Sequence, residues 1–177
     1  MIYAIGDLHF DFSKEKPMDI FGEKWVHHEE KILDNWKNLI KPEDLILLPG
    51  DISWALKLNI AKLDLERIDD LPGKKIIMKG NHDYWWTSLS KLNNLKLKSI
   101  FFLYNNSYKY KETGIVGTRG WISKDNEDFT KDDEKIFASF GAGLDACRYL
   151  GPGGLRGKGG RLGKGFDVRR TGGGRGG

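Results

Sequence analysis

Six side chains able to bind metal or move protons fall in three short stretches. Asp7 and His9 lie in "GDLH", Asp51 in "GD", and Asn81, His82 and Asp83 in "GNHD". Each stretch opens on glycine and follows an apolar run. Asp7 and His9 are two residues apart; in an extended segment such residues point to the same side, so both can hold one ion. Asp51 adds a carboxylate whose two oxygens can bridge two ions, and Asn81 adds a neutral amide oxygen. This mix of oxygen and nitrogen donors suits Mn, Fe, Zn or Co better than thiolate-preferring metals. Two divalent ions roughly 3.5–4 Å apart clamp the attacking and leaving oxygens of a phosphate ester, with a hydroxide between them as nucleophile. His82 has a donor to stabilise phosphoryl oxygens or protonate a leaving group. Asp83 can orient that imidazole.

Each motif alone is ordinary turn chemistry. Their common setting is what joins them. "MIYAI" reads as a buried strand ending at Gly6, "DLILLPGD" holds a second over 44–48, and "KKIIMKG" holds a third. Residues 23–40 carry Trp25, Val26, Ile32, Leu33, Trp36, Leu39 and Ile40 at helical spacing, and Lys41-Pro42 stops that helix. "ALKLNIAKLDLERIDDL" reads as a second helix ending at Pro72-Gly73, and "YWWTSLSKLNNL" as a third. "KSIFFLY" and "TGIVGTRGW" are further strands. Strands alternating with helices predict an α/β fold with a mainly parallel sheet. In such sheets the binding crevice lies outside the carboxyl ends of the strands, where all three polar turns fall.

The chain of 177 residues suits one domain with a real core. Its N-terminus reads as a strand rather than a signal peptide, and it has no apolar run long enough to span a membrane. Cys147 is the only cysteine, which excludes a disulfide framework within one chain and fits a reducing cytoplasm. The net charge of +4 is unevenly placed. Eight basic residues against Asp145 and Asp167 give residues 142–177 a net charge of +6, which leaves −2 for the rest. A basic isoelectric point is therefore no argument that the body binds nucleic acid.

The vocabulary changes near Ala138. Arginine is confined to Arg67 and Arg119 in the body, whereas "GPGGLRGKGGRLGKGFDVRRTGGGRGG" is mostly Gly and Arg. Such a Gly/Arg-rich tail has little surface to bury, and disorder is expected over 138–177. Three readings stand side by side: a flexible tail contacting nucleic acid, as in RGG segments, a plain linker, or a non-native junction at which the authentic continuation was lost. Residues 1–137 form the expected folded domain.

"GDLH", "GDISW" and "GNHD" resemble the first three signatures of the calcineurin-like metallophosphoesterases, and "GTRGW" at 117–121 is similar to a bacterial subgroup of predicted phosphohydrolases. The resemblance covers about residues 1–137. It implies an α/β/β/α sandwich, a dinuclear centre of two divalent ions, and hydrolysis of a phosphate mono- or diester. It places Asp7, His9 and Asp51 on one metal, Asp51 and Asn81 on the second, His82 as the catalytic histidine and Asp83 as its supporting carboxylate. The family completes its site with a later histidine and a G-H-x-H signature. None of the four histidines here, His9, His27, His28 and His82, lies beyond residue 82. Three expected ligands are thus missing, and the Gly/Arg tail cannot supply a second sheet. The chain is expected to be the N-terminal part of a phosphoesterase, with impaired turnover. The alternative is a non-catalytic metal-binding fragment whose basic tail contacts nucleic acid.

Other residues carry smaller expectations. His27 and His28 are adjacent, face different directions, and read as surface residues. Trp54, Tyr84, Trp85 and Trp86 follow the polar turns and either line a cleft or pack between helix and sheet. Arg119 lies in a glycine-flanked turn, suited equally to a substrate phosphate or a structural ion pair.

Overall fold

The computed structural model describes residues 1–14, 18–117, 124–125, 127 and 129–136. Most of the "GTRGW" turn, including Arg119, and the whole Gly/Arg-rich tail with Cys147 lie outside the described residues.

Four strands form one sheet: β1 (Ile2–Ala4), β2 (Leu45–Leu48), β3 (Lys74–Ile77) and β4 (Ile100–Phe102). They lie side by side in chain order, and every neighbouring pair is parallel. The helices α1 (His28–Leu39), α2 (Leu58–Asp69) and α3 (Leu89–Asn93) make the crossovers. Because the strands of a parallel sheet all run the same way, their carboxyl ends share one edge. Among the described residues no helix is long and apolar enough to cross a membrane.

Strand side chains alternate between faces, and this sheet buries both. Ile46, Leu48, Ile77 and Phe102 join Trp36, Ala61, Leu65, Ile68 and Leu92 of the helices in one core cluster. Leu45, Ile76 and Leu103 turn the other way and meet Tyr108 and Tyr110. Those tyrosines belong to a two-stranded antiparallel sheet, β5 (Asn106–Tyr110) and β6 (Thr113–Gly117). The Tyr110 hydroxyl donates to the Glu43 carbonyl at 2.7 Å, tying this ribbon to the turn before β2. Helix, sheet and ribbon thus form three layers.

Three elements differ from the sequence reading. The helix expected over 23–40 begins at His28, because His27 takes a left-handed φ of 55° and Glu23–Trp25 forms a 3-10 turn. The helix expected over "YWWTSLSKLNNL" is confined to Leu89–Asn93. Its first residues are spent on a turn instead: Tyr84 N–H donates to the His82 carbonyl at 2.8 Å and Trp86 N–H to the Asp83 carbonyl at 3.1 Å. That turn drives Trp85 into the core, where it is 1% exposed. Strand β5, "NSYKY", falls where the sequence pattern predicts no strand. Its polar residues and short length hide the alternation that places Tyr108 and Tyr110 inward.

Lys75 is a further departure. It sits within β3 and is fully buried. Its ammonium donates to the carbonyls of Leu71 and of Asp69 (3.3 Å) at the end of α2, and to Ser99 Oγ at 2.9 Å. Satisfying a helix's last carbonyls with a lysine is a recurrent capping solution. Burial pushes the ammonium down to about 8, against the pull of Asp69 and Asp70.

Candidate metal centre

The parallel ladder does not stop where β1 and β2 end. Asp7 N–H donates to Gly50 O at 3.2 Å, His9 N–H to Asp51 O at 3.0 Å and Phe10 N–H to Ile52 O at 3.0 Å. Trp54 N–H returns the pairing to Phe10 O at 3.0 Å. The two ligand-bearing loops are therefore zipped together by their backbones, which sets Asp7 and His9 beside Asp51.

The result is one cluster: Asp7, His9 and Asp51 each present a ligand atom within 4.8 Å of the others. Asp7 is exposed, while His9 and Asp51 are buried. His9 Nε2 lies 3.6 Å from Asp7 Oδ1. His9 Nδ1 is buried and has no hydrogen-bond partner among the described residues. Buried polar atoms are rarely left unpaired, so an imidazole with unspent capacity beside two carboxylates fits a divalent cation. Burial lowers the His9 pKa below its usual 6.5, against the pull of Asp51 and Asp7, which favours the neutral form that ligates metal.

Convergence is not achieved by the extended geometry expected from the sequence. Asp7 (φ 55°), His9 (φ 45°) and Asp51 (φ 53°) are all left-handed. Left-handed twists, and not the shared side of an extended i, i+2 pair, set the directions of these side chains. A non-glycine residue held there costs on the order of 1–3 kcal/mol, and such residues concentrate at functional sites.

The third loop meets the second through Asp83. Its carboxylate is fully buried and accepts hydrogen bonds from Asp51 N (2.8 Å), Ile52 N (2.8 Å), Gly80 N (2.8 Å) and Trp85 Nε1 (3.0 Å). With a longer bond from Ser53 N at 3.4 Å, these donors, and not the His82 ring, are the hydrogen-bond partners of Asp83 among the described residues. Burial raises its pKa, opposed by the backbone N–H groups that favour the anion. Asp51 Oδ1 in turn accepts from His82 N–H at 2.9 Å.

His82 is half-buried, its ring centroid 5.9 Å from that of His9 and 5.1 Å from Trp54. Asn81 is exposed in the same loop, one residue from His82. Of the aromatic residues noted in the sequence, Trp54 stacks on His9 at 4.7 Å and 24°, and Tyr84 stands exposed with its ring 6.2 Å from His82. Trp85 and Trp86 belong to the helix–sheet core instead.

Sequence reasoning missed three supporting residues. His28, read as a surface residue, is half-buried, and its Nε2 lies 3.1 Å from Leu8 O and 3.3 Å from His9 O. Glu29 accepts from Asp11 N–H at 2.6 Å. Asp64 on α2 is buried with its oxygens on Phe12 N–H (3.0 Å) and Ser53 Oγ. The one visible signal was an aspartate on the apolar face of a predicted helix. His27 does lie at the surface, with Nδ1 2.8 Å from Glu30.

No curated protein matches the chain. A crystal structure of a protein of unknown function from Aquifex aeolicus is similar, with 22% identity, 82% of this chain and 74% of that chain covered, and a TM-score of 0.46. The family model for calcineurin-like phosphoesterases matches residues 1–162, beyond the composition change near 138. That match spans most of the 177 residues and includes all three ligand turns: the chain belongs to the calcineurin-like phosphoesterases.

Proposed function

We propose that the site hydrolyses a phosphate mono- or diester with two divalent ions, drawn from Mn, Fe, Zn and Co. Asp7, His9 and Asp51 hold one, and Asp51 and Asn81 contribute to the second. The observation that carries this reading is the gathering of the Asp7, His9 and Asp51 ligand atoms within 4.8 Å. Bare carboxylates would repel a phosphate, so the cluster suits an anionic substrate only once cations invert the local field. When bound, such ions supply a water acidic enough to give hydroxide near neutral pH and polarise the phosphoryl oxygens.

The protein's own contributions are orientation and proton transfer. His82 stands beside the cluster with a donor for a phosphoryl or leaving-group oxygen. Asp83 acts through the backbone it holds, by fixing the Asp51 and Gly80 loops rather than by gripping the imidazole. No histidine follows His82 in the sequence, whereas the family resemblance calls for three more ligands. Turnover by these residues alone is therefore expected to be weak.

The test is hydrolysis of an aryl phosphodiester with added Mn²⁺ and with a chelator. Metal-dependent hydrolysis lost in His82→Ala supports the reading. Hydrolysis indifferent to chelator, or absence of Mn²⁺ binding, overturns it.

A further inference from the structure

Asp64 lies on α2, outside all three ligand turns, and is 2% exposed. A buried carboxylate is normally paired with a cation. Among the described residues the charged groups that weigh most on Asp64 are Asp11 and Glu29, both acidic. Its hydrogen bonds explain the placement better than the core does. One oxygen accepts from Phe12 N–H at 3.0 Å, on the segment that runs on from Asp7 and His9. The other accepts from Ser53 Oγ, two residues past Asp51. Ser53 Oγ also accepts from Ala55 N–H at 3.1 Å, which fixes its hydroxyl proton toward Asp64. Ser53 and Asp64 are 0% and 2% exposed, so water does not compete for these bonds.

We propose that Asp64 is a positioning residue of the metal centre, whose two oxygens clamp the Asp7–His9 loop to the Asp51 loop and so set the spacing of the ligands. The proposal rests on the metal-binding reading above. Among the described residues the Asp7–His9 and Asp51 loops are joined by backbone pairing and by the Trp54–His9 stack; Asp64 adds a hydrogen-bonded side-chain strut anchored on a helix. Asp83 performs the matching service between the second and third loops. Outer partners that orient ligands typically change metal affinity about 10–100-fold when removed.

The experiment measures Mn²⁺ affinity by calorimetry for the full chain and for Asp64→Ala, Asp64→Asn, Ser53→Ala and Asp51→Asn, beside thermal unfolding of each without metal. Asparagine preserves the shape and can accept from Phe12 N–H while its amide donates to Ser53 Oγ. The expected result is at least about tenfold weaker Mn²⁺ binding in Asp64→Ala, partial loss in Ser53→Ala, and recovery of most affinity in Asp64→Asn. Unchanged affinity in Asp64→Ala or Ser53→Ala, with a lower melting temperature, makes Asp64 merely structural and overturns the proposal. If Asp64→Ala fails to fold, Ser53→Ala decides alone, since it removes one arm of the clamp and a single hydroxyl. Failure of the metal reading looks different: the unmodified chain then binds no Mn²⁺, or Asp51→Asn binds as well as it does.

Discussion

Gly50 and Gly80 meet backbone to backbone where the second and third ligand loops touch. A Cβ on Gly50, whose φ is 141°, would stand 2.5 Å from Gly80 N. A Cβ on Gly80 would stand 2.8 Å from Asp51 Cγ and overlap its carboxylate oxygen. These glycines open the turns because nothing larger permits the approach that lets Asp83 reach Asp51 N–H.

Gly80→Ala is therefore expected to displace the Asp51 carboxylate. Mn²⁺ affinity should fall by about tenfold or more, in the range for disturbed ligand support. Calorimetry on the folded variant checks this, with Gly114→Ala as the control, since a Cβ there meets nothing within 4 Å.

Asp83→Ala is expected to be the most destabilising single change in the site. It strands the N–H groups of Asp51, Ile52 and Gly80 and the Trp85 indole, all bonded to one carboxylate. Each buried donor left unpaired costs about 1–3 kcal/mol, so the sum rivals the stability of a whole domain. Asp83→Asn keeps one acceptor oxygen and should lose less. Chemical denaturation of both variants measures the order; equal stability of Asp83→Ala and the unmodified chain would exclude the brace.

His82→Ala is expected to separate chemistry from metal binding. The backbone N–H that holds Asp51 Oδ1 at 2.9 Å survives the substitution. Mn²⁺ affinity should stay within a few-fold, while metal-dependent hydrolysis drops by about 10²–10⁴, the usual worth of a proton-transfer group. Parallel calorimetry and ester hydrolysis test it, and equal losses in both would place His82 among the ligands.

Lys75 supplies a pH signature. Its folded pKa of about 8 lies below the ordinary 10.5. Between those values the unfolded chain binds more protons, so this group makes stability rise with pH. The stability of the unmodified chain relative to Lys75→Met should therefore increase from about pH 8 to about 10.5. Unfolding curves across that window reveal it; a difference that is flat with pH would mean Lys75 titrates normally.

Much of the architecture was legible because it repeats locally. Apolar runs ending in Gly6, Gly50 and Gly80 marked three strand ends, and the spacing of Trp36, Leu65 and Ile68 marked helix faces. What escaped was local pattern overruled by distant contacts. Trp85 breaks an expected helical turn because its ring is buried and its indole is bonded to Asp83. His28 leaves the surface because its ring reaches the carbonyls of Leu8 and His9, some twenty residues away.

By itself the sequence determined which residues can take part and at which edge they gather. Parallel strands joined by helices bring their carboxyl ends to one edge whatever the side chains, and it is there that Asp7, His9 and Asp51 gather. Only the tertiary structure decided how they meet. The left-handed twists at Asp7, His9 and Asp51, the Gly50–Gly80 contact and the buried carboxylates of Asp64 and Asp83 depend on hydrogen bonds between segments far apart in the chain. No local periodicity records such partners, because a buried N–H is satisfied by whichever acceptor the fold carries to it.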